Sequence, residues 1–544
     1  MARRWLFAAA AMAALTPLAA GAQSALPTPV ETQQLESLDA WSVSALARGQ
    51  GALNGDLWAH SDAAVVAALL ARLPSVYESP SALRLAQRVL FSGGAAPQGD
   101  GREAARQRFE ALGRMGAADQ LATMAGGAGD ALHDPDIAQF AAQAELARGR
   151  RPEACARGRA AALSDTAPIF LVRLRAFCSA VSGDRAAVDL ALEMGHGAAA
   201  EDGWYRAALA AVAGAPGARP PGARYDNALA TQISIAAHLR PAARALTNAS
   251  TLALLALARG DDAPQPQRVQ AAELAFRRGA LPVGEARAIL LATPDTVTTA
   301  LAPMAATLRQ VAAAQAPVEA AGAISGLLRQ AAGPADFAAA SRLFRAEINA
   351  LRSAPDAGAA LAMARAALLN GDLQDAQRLI ASARQAGAEE SVLAPLDAAA
   401  AASVGARGDD GTFALKRRID AAGASMARSA ARDVALLMAL GARADDGARA
   451  FLAASPPTGG AAADGAATTA LADAAQRGAV GETALLAALA ILPRPGRLDA
   501  DSLSHIIAAL IAVGLENDAR RLAVEAILAG QPPAAAPARR APAH

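Results

Sequence analysis

Aromatic side chains make up only 3% of the 544-residue chain, and lysine occurs once, at Lys416. The lone lysine follows Leu415 and not a glycine, so no phosphate-cradling Gly-Lys loop can form. Cysteine occurs twice and never as C-x-x-C, which excludes dithiol redox chemistry. Neither sign of charge is in excess: 51 basic and 50 acidic residues leave a formal +1, without the basic surplus of a nucleic-acid binder. The same balance gives no reason to expect attachment to an anionic membrane surface. Runs of β-branched and aromatic residues alternating with polar ones are scarce, which argues against sheet. None of the six histidines lies three or four residues from another, so no helix presents a His-His metal pair, and no cofactor is expected.

What is abundant is alanine. Hydrophobic residues reach 53% with so few rings among them. Alanine has the best helix propensity and lets helices approach closely. Apolar residues recur at three- and four-residue spacing, the signature of amphipathic helix. Phe170, Leu174, Phe177 and Val181 form one stripe. Leu361, Ala364 and Leu368, then Leu379, Ile380 and Ala383, form two more on either side of Gly371. The fold class predicted is all-α. Glycine and proline clusters at 93–101, 126–129, 214–222 and 455–465 read as loops.

The N-terminus sets the expected compartment. Arg3 and Arg4 precede an apolar run from Leu6 to Leu15, Pro17 breaks it, and Ala20-Gly21-Ala22 offers a small-residue cleavage signal before Gln23. That order is the pattern of a secretory signal peptide. The run is short of the roughly 20 apolar residues a span needs. A retained anchor is the alternative. The reading is a protein exported to the periplasm, with no transmembrane span in the mature chain. Four regions follow: a signal peptide at 1–22, an N-terminal helical region at 23–130, a solenoid at 131–530, and a Pro-, Ala- and Arg-rich disordered tail at 531–544.

A helix–glycine–helix punctuation recurs at Gly149, Gly183, Gly260, Gly371 and Gly408, and continues at Ala444 and Gly514. Successive spacings of 34, 77, 111, 37, 36 and 70 residues reduce to 34–38.5 per unit when read as one, two, three, one, one and two units. Such a period marks an array of helix pairs. Glycine supplies a left-handed cap, and the following Asp can accept from free N–H groups of the next helix. In the stretch from Gly371 to Ala383, Ala376 sits at a small crossing position, Ile380 at a large apolar one and Ala383 at the next small one. This pattern resembles the second helix of the tetratricopeptide repeat family. Residues 514–527 are similar, with Ala519, Leu522, Ala523 and Ala526 in the corresponding places, and Gly183 with Val188 and Leu192 is a poorer copy. The first helices lack the family's aromatics. The resemblance implies antiparallel helix hairpins stacked into a superhelical solenoid, with a concave groove that binds peptides or protein surfaces.

Cys155 and Cys178 are expected to pair. Pro152 opens one helix, a turn follows at 164–168, and the midpoint of the two cysteines falls inside that turn. Two helices folded about it would set both residues at one level, and an oxidising compartment favours the bond. Adjacent acids at Asp261-Asp262, Asp409-Asp410 and Asp445-Asp446 lack the spacing of a calcium loop and read as helix caps. Asp134 before Pro135 reads as a helix start. Asp501-Ser502-Leu503-Ser504-His505 lacks the glycines of a serine-hydrolase turn, and Asp501 or Ser502 is read as a helix start instead.

One enzymatic resemblance competes. Glu390-Ser391, Pro395 and Gly405-Ala406-Arg407-Gly408 are similar to part of the catalytic segment of soluble lytic transglycosylases, which cleave peptidoglycan. Asp409-Asp410 departs from that family's sequence, and Tyr225 is the last tyrosine, so its later Tyr-containing motif has no counterpart. The function expected is a non-catalytic envelope scaffold or adaptor for a protein or peptide partner. A peptidoglycan-associated relative of the transglycosylase helical domain is the alternative. Trp204, Tyr205 and Tyr225, around the loop at 214–222, are the candidate partner-contact residues, with burial between repeats as the competing reading.

Overall fold

The computed structural model describes residues 39–530 apart from 48, 130–132, 162–167, 195–201, 243, 294–301, 353, 355, 424–425, 458 and 493–494. The signal-peptide, tail and 130/131 boundary readings lie outside the described residues, as does the turn expected at 164–167. Among the described residues there are twenty-seven α-helices and no strand. Alanine explains how they fit: Ala141, Ala253, Ala364 and Ala399 have no exposed surface, so backbones come together where larger side chains would hold them apart.

The series opens with α1 (Ala63–Arg72), α2 (Pro80–Phe91), α3 (Arg102–Met115), α4 (Ala118–Gly127), α5 (Pro135–Ala147), α6 (Arg151–Ala160), α7 (Ile169–Val181) and α8 (Arg185–Met194). It continues through α9 (Gly203–Val212), α10 (Ala228–Ala236), α11 (Thr251–Arg259), α12 (Gln265–Arg277), α13 (Val283–Leu291), α14 (Pro303–Ala313), α15 (Pro317–Gln330) and α16 (Pro334–Leu343). Then come α17 (Arg345–Ala350), α18 (Ala357–Asn370), α19 (Leu373–Gln385), α20 (Glu390–Ser403), α21 (Gly408–Asp420) and α22 (Ala427–Ala439). The last are α23 (Asp446–Ala454), α24 (Gly465–Gln476), α25 (Val480–Ile491), α26 (Ala500–Ala512) and α27 (Glu516–Ala529).

Most consecutive helices pair, most closely α18 with α19, α11 with α12 and α7 with α8, which makes the array a solenoid of helix hairpins. The α18–α19 hairpin turns on Gly371, whose φ of 81° is left-handed and caps α18. Leu368, Leu379, Ile380 and Ala383 are buried beside it, as the stripes predict. Gly149, Gly183, Gly408 and Gly514 also take positive φ. Gly260 does not. Its φ is −75°, and a Cβ there would meet Ile235 Cδ1 at 2.9 Å, so close packing sets the residue and not chain reversal.

The caps are partly as predicted. Asp134 accepts from Asp136 N at 2.8 Å, and Asp445 from Ala448 N at 2.8 Å. Asp372 caps nothing, because it is drawn off by Arg345, whose Nε donates to it at 2.8 Å. Asp261 pairs with Arg268, while Asp409 and Asp410 lie in the first turn of α21. Asp499, and neither Asp501 nor Ser502, starts α26, accepting from Ser502 N at 2.8 Å. The loop read at 126–129 begins late, since α4 runs through Gly127.

The disulfide between Cys155 and Cys178 joins α6 to α7, with Cα atoms 5.9 Å apart. No helix among the described residues is long and apolar enough to cross a membrane.

A linear solenoid touches only nearest neighbours; this one returns on itself twice. Helix α11 lies against α3 and α5 as well as α10 and α12. More consequentially, α1 and α2 pack on α25, and α2 also packs on α27. At that seam Gly481 N donates to Leu57 O at 2.9 Å, and a Cβ on Gly481 would meet the Trp58 ring at 2.6 Å. Arg88 pairs with Asp518, and Ser79 Oγ donates to Glu525 at 3.0 Å. The array is closed. The segment leading into it is held by Arg108, which has no exposed surface and donates to the carbonyls of Ala40, Trp41, Val43, Leu90 and Ser92.

A candidate binding crevice

Closure of the array leaves a crevice where α2 and α27 face α15, α16, α18 and α20. Its larger part is a cavity of about 530 Å³. Leu328 and Phe337 form one wall, Leu361 and Leu369 on α18 a second, and Val392 and Leu396 on α20 a third. Leu528 and Ala529 of α27 and the segment Pro495–Arg497 complete it. A second cavity of about 320 Å³ adjoins at Pro80 and Leu369 and is lined by Arg84, Leu373, Asn517, Arg520, Arg521 and Val524. Size and apolar walls with a few placed polar groups are what a ligand site has.

Two polar side chains inside the larger cavity have unused hydrogen-bonding capacity. Arg365 stacks its guanidinium 5.6 Å over the Phe337 ring and donates through Nη2 to Leu528 O at 3.0 Å, while its buried Nε has no partner. Burial pushes its pKa down. Glu525 accepts at Oε2 from Ser79 Oγ and from Ser81 N at 2.8 Å, and its buried Oε1 has no partner. Burial pushes the Glu525 carboxyl up, and the hydrogen bonds from Ser81 and Ser79 only partly offset it. A buried polar atom without a partner is costly unless something supplies one.

The sequence carried a signal for both residues. Arg365 stands four residues from Leu361 and from Leu369, and Glu525 three from Leu522 and from Leu528. Each is a charge set into an apolar stripe, and helical spacing alone does not say which cavity a stripe faces.

The candidate contact residues lie elsewhere and are packed. Tyr205 and Tyr225 are buried at 3% and 2% exposure, and Trp204 is half-buried. Trp204 and Tyr205 meet edge to face at 5.0 Å. The Arg173 guanidinium lies 4.0 Å over the Tyr205 ring, and Arg224 sits near both rings while pairing with Asp202 at 2.6 Å. The three do not form an exposed patch. Their rings tie α9 to the loop before α10, and Trp204 Nε1 donates to Gly222 O at 2.8 Å.

Glu390 is exposed, and hydrogen bonds from Arg384 at 2.9 Å and Arg417 at 2.6 Å hold its carboxyl below the usual range. A general acid needs the opposite shift. Ser502 Oγ accepts from Ala463 N at 2.9 Å, and His505 is an exposed neighbour of Asp501. A third cavity, of about 500 Å³, is lined by Asp119, Arg148, Arg150, Arg259, Arg268 and Glu285. Asp119 bridges Arg148 and Arg259 there, and Arg259 pairs again with Glu285 at 2.8 Å, so its charges largely answer one another. Among the described residues no cluster of His, Cys, Asp and Glu could hold a metal ion.

No protein-family model matches the chain, and neither a curated protein nor a solved structure matches it.

Proposed function

We propose that the chain is a non-catalytic helical-repeat scaffold of the cell envelope, which holds a protein or peptide partner in the crevice between α2, α18, α20 and α27. The observation that carries this reading is the pair of adjoining cavities, whose apolar walls come from α2, α15, α16, α18, α19, α20 and α27 and whose larger member keeps a buried donor and a buried acceptor unsatisfied. The disulfide fits an oxidising compartment, and the N-terminal run from Leu6 to Leu15 fits an export signal. Binding of a polypeptide would cover Leu361 and Val392, both half-buried in the free protein.

The test is photo-crosslinking in the cell envelope from a reactive side chain placed at Val392, with the captured polypeptide identified by mass spectrometry. Leu361→Gln, at an unchanged melting temperature, is expected to abolish capture. Capture indifferent to Leu361→Gln would overturn the proposal. So would sedimentation of the protein with purified sacculi and no polypeptide crosslinked at all.

A further inference from the structure

The chain as a whole is almost neutral, yet the crevice is not. Arg329, Arg365 and Arg497 line the larger cavity, and Arg84, Arg520 and Arg521 the smaller, against Glu525 as the one carboxylate of either lining. Many arginines elsewhere have a carboxylate partner. Arg148, Arg259, Arg287, Arg384 and Arg417 each pair with acids. Around the crevice only Arg520 has a carboxylate partner, Glu516 at 3.1 Å, and among the described residues Arg84, Arg329, Arg497 and Arg521 have no ion pair. Glu525 has no ion pair with these arginines; its Oε2 accepts from Ser79 and Ser81, and its Oε1 is unpartnered.

Resting on the scaffold reading, we propose that the crevice takes an acidic segment of a partner polypeptide, with carboxylates against the arginines at both ends and an apolar side chain in the larger cavity. Three observations favour that occupant. The unpaired charge is positive, so complementarity calls for an anion. It lies at two places, Arg329 with Arg497 around one cavity and Arg84 with Arg521 around the other, whereas an amphiphile with a single head would answer only one. Between them lie the apolar side chains of Leu361, Leu369 and Val392, which a fully charged polymer such as a nucleic acid would leave facing phosphate. Inside the cavity, a backbone carbonyl of the segment would give Arg365 Nε its missing acceptor.

The experiment uses the full chain and fluorescence anisotropy of a labelled short peptide with Asp and Glu at both ends of a Leu-Ala-Leu centre. The same peptide with Lys for every acid, and decanoate, serve as comparisons. The acidic peptide is expected to bind saturably, and to weaken about tenfold or more between about 50 and 300 mM salt. Arg497→Glu with Arg521→Glu should cost at least as much, while Arg497→Lys with Arg521→Lys retains binding. Equal binding of the lysine peptide, or binding untouched by the double reversal, would overturn the proposal. Saturable binding of decanoate with none of the acidic peptide would overturn it in favour of an amphiphile. If the acidic peptide fails while crosslinking still depends on Leu361, the acidic chemistry falls and the scaffold stands. Loss of that dependence sinks the scaffold itself.

Discussion

Arg418 Nε donates to Asp433 Oδ2 at 2.7 Å, and neither side chain has any exposed surface. The pair joins α21 to α22, with Ser429 as a further acceptor for Arg418 at 3.2 Å. Asp433 Oδ1 and Arg418 Nη1 find no partner, so the pair is imperfectly satisfied for its depth. Asp433→Leu should therefore cost about 3–5 kcal/mol at neutral pH, since it strands a buried cation. Arg418→Met combined with Asp433→Leu should recover most of that loss. Urea unfolding of the three proteins checks both outcomes.

The same aspartate sets a pH dependence. Burial pushes its pKa up to about 6, with Arg418 pulling only partly against it. In the unfolded chain the carboxyl titrates near 4, so between about 4 and about 6 the folded state binds more protons. Stability from this group then falls as pH rises through that window and is level above it. The double substitution should remove this slope. A wild-type profile that rises from this group over the window, or a slope the double variant keeps, would contradict the assignment.

Reducing the bond between Cys155 and Cys178, or replacing both with alanine, is expected to cost about 3 kcal/mol, the scale for a closed loop of this size. Hydrogen exchange should quicken first in α6 and α7. This pairing was legible in the sequence because it is local: 23 residues separate the partners, and Pro152 in the first turn of α6 and Pro168 just before α7 mark the two helix starts that put them level.

The α18–α19 hairpin was legible for the same reason. Gly371, Ala376 and Ile380 act within one repeat, so their spacing reports their neighbours. What could not be read is whatever one repeat does to a distant one. Ser79 meets Glu525 and Trp58 meets Gly481 because the array closes, and no local period encodes that. The crevice belongs to this second kind. The tyrosines could be read either way, because aromatic residues are as suited to packing as to contact; Tyr225 is buried, and Arg173 and Arg224 cover Tyr205.

Arg108→Met should cost several kcal/mol, because it removes the donor shared by the carbonyls of Ala40, Trp41, Val43, Leu90 and Ser92 at a site closed to water. Burial already pushes the guanidinium down to about 9, so the site tolerates the cation only for those bonds. Trp41 and Trp58 stand 5.5 Å apart beside it, and red-shifted tryptophan emission would report their release.

Gly481→Ala is expected to destabilise by about 1–3 kcal/mol, since the new methyl group collides with Trp58 and Leu57 O. Gly514→Ala supplies the comparison: it has open space and pays only for its positive φ of 78°. Exchange protection in α1 and α2 should drop for the first variant and hold for the second.

Closure also has a consequence in time. Helix α2 shares its buried side with α25 and α27, which a ribosome makes some four hundred residues later. Until they emerge, the side of α2 that meets them lacks its native cover, so early in its synthesis the chain exposes apolar surface that is prone to aggregate. The crevice, too, is assembled only with α27, so a chain cut short before it would have hairpins and neither cavity complete.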